Sequence, residues 1–392
     1  MRISFIIIST GILFVLFLSS CTKDVEKSTK LNCQNQLYVQ THPKSVEFQQ
    51  IIEKYVKKGL PGISVLIEDS SGLWVGAYGY ADIENNIEFT PCHISKAASI
   101  TKLLVGTLTM KLQEEGKIDL DDPVSKYIDE SILNKIDNAQ GITVRQLMNH
   151  TTGIFDVITS SEFYLAVLNN PNKHWTQEEL LKFVYGVEGY NLNDPFPAHY
   201  SSTNTLLLSM CIEKATGEKH EKLLREKVID HVGMENTYYQ GRETLPDICA
   251  QGYFDLHNNG KIVNVSNLIT GSGNGYGGIY SNVFDLYKFI KALLIDKSIL
   301  SQESLDEMME FVREDENYYC GAGIIKKFTE KSHYGIGHTG RDLGYNADLF
   351  YFPETNQIMI FFVNYGTNGS SNINQHFFDF ENELVDALLE GY

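Results

Sequence analysis

The sequence predicts an α/β (α+β) fold: a mainly antiparallel sheet built from both chain ends with flanking helices, plus an inserted, mostly helical lobe. Strand-like runs rich in Ile, Val, Trp and Tyr lie at 62–80 and return after 319, while the stretch from Ser99 to about Val265 carries helical patterns. A final amphipathic segment, about Asn374–Leu389, sets Phe377, Phe378, Leu384, Val385 and Leu388 on one side. A sheet drawn from two ends with helices inserted between them leaves a cleft where the two lobes meet, and such a cleft is the default site.

In chain order, the first twenty residues, MRISFIIISTGILFVLFLSS, put Arg2 ahead of an apolar run from Ile3 to Leu18 and two small residues before Cys21. That pattern marks residues 1–20 as a signal peptide rather than a spanning helix. Residues 21–44 are polar and poor in aliphatic side chains, so they are expected to form a flexible tether to a folded body at 45–392. From Ser45 to Lys58, Val46, Phe48, Ile51, Ile52, Tyr55 and Val56 recur at helical spacing, and Gly59 and Pro61 end the helix. Gly62–Glu68 and Leu73–Tyr80, separated by Asp69-Ser70-Ser71-Gly72, make a hairpin.

Helices are expected at 100–115, 143–149, 176–185, 203–215 and 219–230, the first closed by Gly116 and the fourth by Gly217. They define a helical lobe at about 100–270. Late strands are expected at Tyr319–Lys326, Tyr334–His338, Tyr345–Phe352 and Gln357–Asn364.

The formal net charge of −18 and the lack of any Lys/Arg cluster argue against nucleic acid or an anionic lipid surface as partner. Apart from Cys21 there are five cysteines, Cys33, Cys92, Cys211, Cys249 and Cys320, so at least one thiol stays free. Spacing names no pair, and buried free Cys is the safer reading. No metal motif occurs, and no cofactor is expected.

Chemistry concentrates at Ser99-Ile100-Thr101-Lys102, where the i, i+3 spacing puts the hydroxyl and the ammonium on one helical face. A hydroxyl is a poor nucleophile until a neighbour takes its proton, and a buried Lys can lose enough charge to do so. The same S-x-x-K pattern occurs at Ser20–Lys23, so the four residues alone do not decide between this and an N-cap Ser with a solvated Lys.

The surroundings add more. ISKAASITKLLVGTLTMKLQEEGKIDLDDPVSKYI, ITVRQLMNHTTGI, YSSTNTLLLSMCIEKATG, GYGGIYSNVFDLYKFIKALL and HYGIGHTGRDLGYNADLFYFP resemble, in this order, stretches of the serine β-lactamase and penicillin-binding-protein superfamily, which holds class C β-lactamases, D-peptidases and related esterases. The resemblance covers about Phe48 to Asn364. It implies Ser99 as acyl-forming nucleophile, Lys102 as its proton partner, Tyr200 as a second base with a phenol drawn toward phenolate, and His338 in the third element. The backbone N–H groups of Ser99 and Arg341 would form the oxyanion hole. Substrate would meet Ser202, Asn204, Thr339, Gly340 and Arg341, with Thr339 and Arg341 as candidates for a substrate carboxylate.

Two departures stand out. Ser202 replaces the Asn usual at that place, which puts amide binding in doubt unless Asn204 compensates, and His338 replaces the Lys typical of efficient β-lactamases. Tyr280-Ser281-Asn282 and His231-Val232-Gly233 imitate the second and third elements, but their contexts match a Gly-rich turn before a helix and a structural turn. The implied function is hydrolysis of short peptides or amides, D-residue-containing, as in D-Ala-D-Ala carboxypeptidases. A carboxylesterase or β-lactamase of the same fold is the alternative, and outside enzymes a catalytically weak lipid-anchored peptide-binding protein. Leu18-Ser19-Ser20-Cys21 also resembles a bacterial lipobox, which implies lipidation of Cys21 and a cell-envelope location, periplasmic or at the outer membrane.

Overall fold

The computed structural model describes residues 27–34, 41–366 and 371–391. The signal peptide and Cys21 lie outside them. No helix among the described residues is long and apolar enough to cross a membrane.

A nine-stranded antiparallel sheet runs in the order Ile87–Glu88, Gly72–Asp82, Gly62–Asp69, Gln357–Val363, Tyr345–Phe352, Gly335–Asp342, Ile325–Lys327, Tyr319–Cys320, Val312–Arg313. The two chain ends meet at its centre, where Ile63 pairs with Val363 and Ile67 with Met359. Both faces of these central strands are covered, which is why they read as unbroken apolar runs. Ile63, Val65 and Ile67 face one core together with Phe48 and Ile52 of helix Ser45–Lys57 and Phe377, Phe380 and Leu384 of helix Asn372–Leu389. Leu66 on the opposite side joins Leu103, Leu104 and Leu108 of helix Ile100–Glu114. Phe48, Ile52 and Leu103 are fully buried, and each such side chain contributes about 1.5–3 kcal/mol of burial.

The expected strand Tyr319–Lys326 is broken into Tyr319–Cys320 and Ile325–Lys327. Gly323, at φ 78°, turns the chain inward until its backbone touches helix Ile100–Glu114, where a Cβ on Gly323 would lie 2.8 Å from the Gly106 Cα. The expected tether 21–44 is docked rather than flexible where it is described. Ser28 N–H donates to Asp82 Oδ2 at 2.9 Å, Thr29 N–H to the Asp247 carbonyl at 2.8 Å, and Cys33 is disulfide-bonded to Cys92. The covalent link supplies the hold that a polar, core-poor segment lacks; it is the pair that spacing left unnamed, and the safer reading of buried free Cys is corrected for these two. Cys211, Cys249 and Cys320 are buried and free.

Candidate active site

Strand Ser95–Ala98 delivers Ser99 to the start of helix Ile100–Glu114 through an abrupt turn in which Ala98 takes a left-handed φ of 47°. Strain of this kind persists where the surroundings enforce it. Here strand Gly335–Asp342 enforces it by lying so close that a Cβ on Gly340 would stand 2.2 Å from the Ala97 carbonyl oxygen.

The first three turns of the helix are buried on every side, so Lys102 is carried into the core at 1% exposure. Its Nζ donates to Ser99 Oγ and to the Tyr276 carbonyl, both at 2.9 Å, and sits 4.8 Å from the Tyr200 ring centre. Burial brings the Lys102 ammonium down to about 7, against the opposing pull of Asp156 and Asp342.

Tyr200 stands just before helix Ser202–Thr216, whose first backbone N–H groups would otherwise lack partners. Three side chains from elsewhere take the N–H groups of the approach and of the first helical residue. Glu314 Oε1 accepts from Tyr200 N–H at 2.9 Å, His150 Nδ1 from Ser201 N–H at 3.3 Å, and Asp156 Oδ1 from Ser202 N–H at 2.9 Å. The His150 ring lies 4.5 Å from that of Tyr200, and burial holds His150 neutral. Tyr200 hydrogen-bonds with Ser99, yet burial raises its phenol well above 10. The expectation of a phenol drawn toward phenolate is therefore reversed, because desolvation outweighs the nearby Lys102.

Ser202 is fully buried at the cleft wall beside Asp156, and its hydroxyl has no hydrogen bond of ordinary geometry. Asn204 does not compensate. Its Oδ1 accepts from Thr152 Oγ1 at 2.7 Å and its Nδ2 lies 3.2 Å from His150 Nδ1, behind Tyr200 and away from the cleft lining. The helical turn from Ser202 to Asn204 rotates the two side chains apart.

In the third element, His338 is buried with its ring 6.2 Å from Tyr200 and its Nδ1 2.6 Å from the Thr339 carbonyl. Burial and the adjacent Lys102 push His338 down to about 3, so it is neutral. Asp342 and Tyr345 close a two-residue turn and must exchange the hydrogen bonds of that pair. By alternation the N–H groups of Thr339 and Arg341 point to the opposite edge, which strand Ile325–Lys327 covers only at Gly335–Gly337.

The Arg341 guanidinium is unavailable to a substrate carboxylate. It donates to Asp348 Oδ1 and to Glu381 Oε1, each at 2.7 Å, and to the Gly340 and Ala347 carbonyls, and it stacks 4.6 Å from the Phe377 ring. The buried Asp348 and Glu381 recruit it, which overturns the expected carboxylate-binding role of that side chain.

Ser99, Tyr200, Ser202, Thr339 and Arg341 line one cleft of 630 Å³. Ile158, Phe163, Leu168, Phe254 and Leu343 give it an apolar wall. Sequence reasoning missed Asp156, Glu314, Asp342 and Tyr276 in its lining and His150 behind it. The available signals were the quoted blocks themselves: ITVRQLMNHTTGI contains His150 and ends two residues before Asp156, GYGGIYSNVFDLYKFIKALL contains Tyr276, and HYGIGHTGRDLGYNADLFYFP contains Asp342, whereas no block reaches Glu314. The decoys are structural: Asn282 caps helix Val283–Ile290 by accepting from the N–H groups of Phe284 and Asp285, and His231 Nε2 lies 3.4 Å from the Ser298 carbonyl. Glu213, His220 and Glu221 bring metal-ligand atoms within 4.8 Å of one another, but none of the three lines the cleft.

Residues 48–381 match the family described as Beta-lactamase. The chain belongs to the Beta-lactamase family. It is accordingly a serine hydrolase of the β-lactamase and penicillin-binding-protein superfamily. Among curated members, the putative penicillin-binding protein PbpX of Bacillus subtilis (strain 168) is 28% identical over 288 residues, which are 73% of this chain and 66% of that protein. Protein flp of Staphylococcus aureus (strain N315) is 28% identical over 54% of this chain and 42% of its own. The match thus spans less than two thirds of either relative. Among solved structures, a D-stereospecific amidohydrolase from Streptomyces sp. superposes with TM-score 0.76 at 26% identity, over 88% of this chain and 99% of that one. The D-amino acid amidase of Ochrobactrum anthropi SV3, complexed with L-phenylalanine, gives TM-score 0.75 at 25% identity over 87% and 98%.

Proposed function

We propose that the protein hydrolyses short amides or peptides, D-residue-containing, through an acyl-enzyme on Ser99. The observation that carries this is the 2.9 Å contact from a buried Lys102 to the Ser99 hydroxyl. With its ammonium brought down to about 7, Lys102 is neutral in a large fraction of molecules at ordinary pH and takes the Ser99 proton as Oγ attacks the carbonyl carbon. The backbone N–H groups of Ser99 and Arg341 receive the oxyanion. Tyr200, protonated in the resting site, gives its proton to the leaving nitrogen as the C–N bond breaks. Lys102 then returns the Ser99 proton to the Tyr200 oxygen, which restores both groups. Water repeats the sequence on the acyl-enzyme, releasing the acid and free Ser99. Neutral His338 and His150 pack around the phenol and keep charge away from it.

The D-residue preference rests on the amidohydrolase and amidase among the structural relatives. Ester hydrolysis is the second reading, favoured by Ser202 in place of an amide side chain. A penicillin hydrolase and a catalytically weak binding protein rank lower, the first for lack of a Lys at His338 and the second because the Ser99, Lys102 and Tyr200 set is intact. Attachment through a lipidated Cys21 to the bacterial cell envelope belongs to the same proposal, and loss of lipid labelling in Cys21→Ser tests it. The catalytic reading is tested by mass spectrometry after a fluorophosphonate, alongside turnover of paired D- and L-amides and p-nitrophenyl esters. Label on Ser99 with D-amide turnover is expected. Label elsewhere, or full turnover in Ser99→Ala, overturns it.

A further inference from the structure

The charge balance of the cleft is one-sided. Asp156, Glu314, Asp315 and Asp342 line it, against Arg341 as the only Lys or Arg in the lining among the described residues. The Arg341 guanidinium is spent on Asp348 and Glu381, and Asp342 is neutralised by Lys96 Nζ at 2.8 Å. Asp156 is 3% exposed, and no Lys or Arg lies within ion-pair distance of it among the described residues. Its Oδ1 is held by the N–H groups of Ser202 and Ile158 at 2.9 and 3.2 Å. Beside it the fully buried Ser202 hydroxyl leans on the Asp156 carboxylate without a hydrogen bond of ordinary geometry, so no donor fills its oxygen lone pairs, and a buried polar atom left short of partners carries a cost that a ligand can relieve.

We infer that Asp156 and Ser202 form an ammonium subsite, and that the preferred substrate carries a free amino group on its acyl side and no carboxylate beside the scissile bond. The inference rests on the acyl-enzyme reading above and names the substrate class for it. A primary ammonium has three donors and no acceptor. An anionic carboxylate and a hydroxyl oxygen satisfy two of them, and the third is left for the cleft. An N-acylated substrate offers one N–H, brings no charge to Asp156 and adds bulk at a fully buried position. A terminal carboxylate of the kind a D-Ala-D-Ala substrate presents would meet acids rather than a free cation. The apolar wall of Ile158, Phe163, Leu168 and Phe254 suits a large side chain next to the amino group.

The subsite also touches the chemistry. Asp156 is faced by Lys102 from helix Ile100–Glu114 and by Tyr190, Tyr200, Tyr276 and Glu314 from the surrounding elements. Of these only Lys102 brings a positive charge, which Asp156 favours. A bound ammonium neutralises Asp156 and repels the Lys102 proton, so it makes Lys102 a readier base in the complex.

The test compares D-phenylalaninamide with N-acetyl-D-phenylalaninamide at pH 7, together with calorimetric binding of 2-phenylethylammonium and of the neutral 3-phenylpropanol to the unreacted protein. A free-amine preference of about tenfold or more in kcat/KM is expected from one charge-assisted contact. It should fall to near unity in Asp156→Asn and partly return in Asp156→Glu, and 2-phenylethylammonium should bind where the alcohol does not. The acidic limb of kcat should lie lower for the free amine than for the acetylated substrate. Equal or better turnover of the acetylated amide, or equal binding of the alcohol, overturns the subsite. Binding is read without turnover and on the native protein, so it decides even if the Asp156 variants fail to fold. Fluorophosphonate labelling of Ser99 without any amine preference would sink the subsite and leave the hydrolase reading standing, whereas failure of labelling would count against that reading alone.

Discussion

The Lys102 ammonium nitrogen lies 2.9 Å from the Ser99 hydroxyl, buried behind the cleft lining, and burial lowers it to about 7 from an ordinary 10.5. Two pH effects follow with definite signs. Acylation needs neutral Lys102, so the rate should rise with pH through about 7 and level off above it. Stability should rise over the same range and beyond. Between 7 and 10.5 the unfolded chain holds a proton that the native Lys102 does not, and below 7 the burial penalty is felt in full. Lys102→Met should therefore abolish phosphonate labelling of Ser99 while raising the melting temperature most at pH 6 and least near pH 10. A variant that melts lower at pH 6 would show that the bonds to Ser99 and Tyr276 outweigh desolvation.

Tyr200 is protonated at all working pH values, since burial holds its phenol well above 10. Replacing it by Phe removes the proton donor to the leaving group and should cost about 100-fold in kcat. The limb near pH 7 belongs to Lys102 and should survive in Tyr200→Phe. Loss of that limb in the variant would transfer the titration to Tyr200 and revive the phenolate expectation.

The contrast between these residues marks what sequence reading reached. Ser99, Lys102, Tyr200 and His338 were legible because each sits in a block whose order along the chain is itself a signal, and the structure brings all four together. Central strands such as Gly62–Asp69 were legible from their β-branched runs. Asp156, Glu314 and His150 were not, because each acts by meeting N–H groups of a helix start some 46 to 114 residues away, a relation that no local pattern encodes. Arg341 failed for a related reason. Its fate was decided by the buried Asp348 on the neighbouring strand and by Glu381 on the last helix, not by the residues beside it in sequence. Docking of 27–34 was hidden by a polar composition that the Cys33–Cys92 bond overrides.

Ser202 and Asn204 separate specificity from stability. Ser202→Asn restores an amide donor and acceptor at the cleft wall, and should raise the amide-to-ester ratio of specificity constants about tenfold, equivalent to ~1.4 kcal/mol. Asn204→Ala should leave that ratio flat in both backgrounds, because Asn204 bonds Thr152 and contacts His150 rather than the cleft. Its cost should appear as about 1–3 kcal/mol of lost stability from orphaned buried partners. A double-mutant cycle with a coupled ratio would return Asn204 to the substrate site.

The Cys33–Cys92 bond joins the N-terminal segment to the body across 59 residues of sequence. A loop of that size predicts a stabilisation of about 4 kcal/mol. Cys33→Ser with Cys92→Ser should lower the melting temperature and open residues 27–34 to protease, while phosphonate labelling of Ser99 stays unchanged. Lost labelling in a variant that remains folded would tie the docked segment to the cleft.

Arg341 gives the last test, because its side chain and its backbone are assigned to different tasks. The guanidinium neutralises Asp348, which is fully buried, and Glu381, at 5% side-chain exposure. Removing one partner of such a cluster leaves charge stranded, at a cost of about 3–5 kcal/mol. Arg341→Met should therefore melt well below the native protein, and at neutral pH more than in mild acid. Burial and the nearby Glu381 push the Asp348 carboxyl up, and loss of the guanidinium pushes it further, so mild acid discharges the carboxyl that Lys327, 2.6 Å from Glu381, leaves unbalanced. The backbone N–H at 341 remains, so the folded fraction of the variant should retain kcat within a few-fold. KM for a D-dipeptide with a free carboxylate should also be unchanged relative to the matching dipeptide amide, since the guanidinium never met it. A KM that rises selectively for the carboxylate substrate would show Arg341 reaching into the cleft, and would return to it the anion-binding role that its bonds to Asp348 and Glu381 deny.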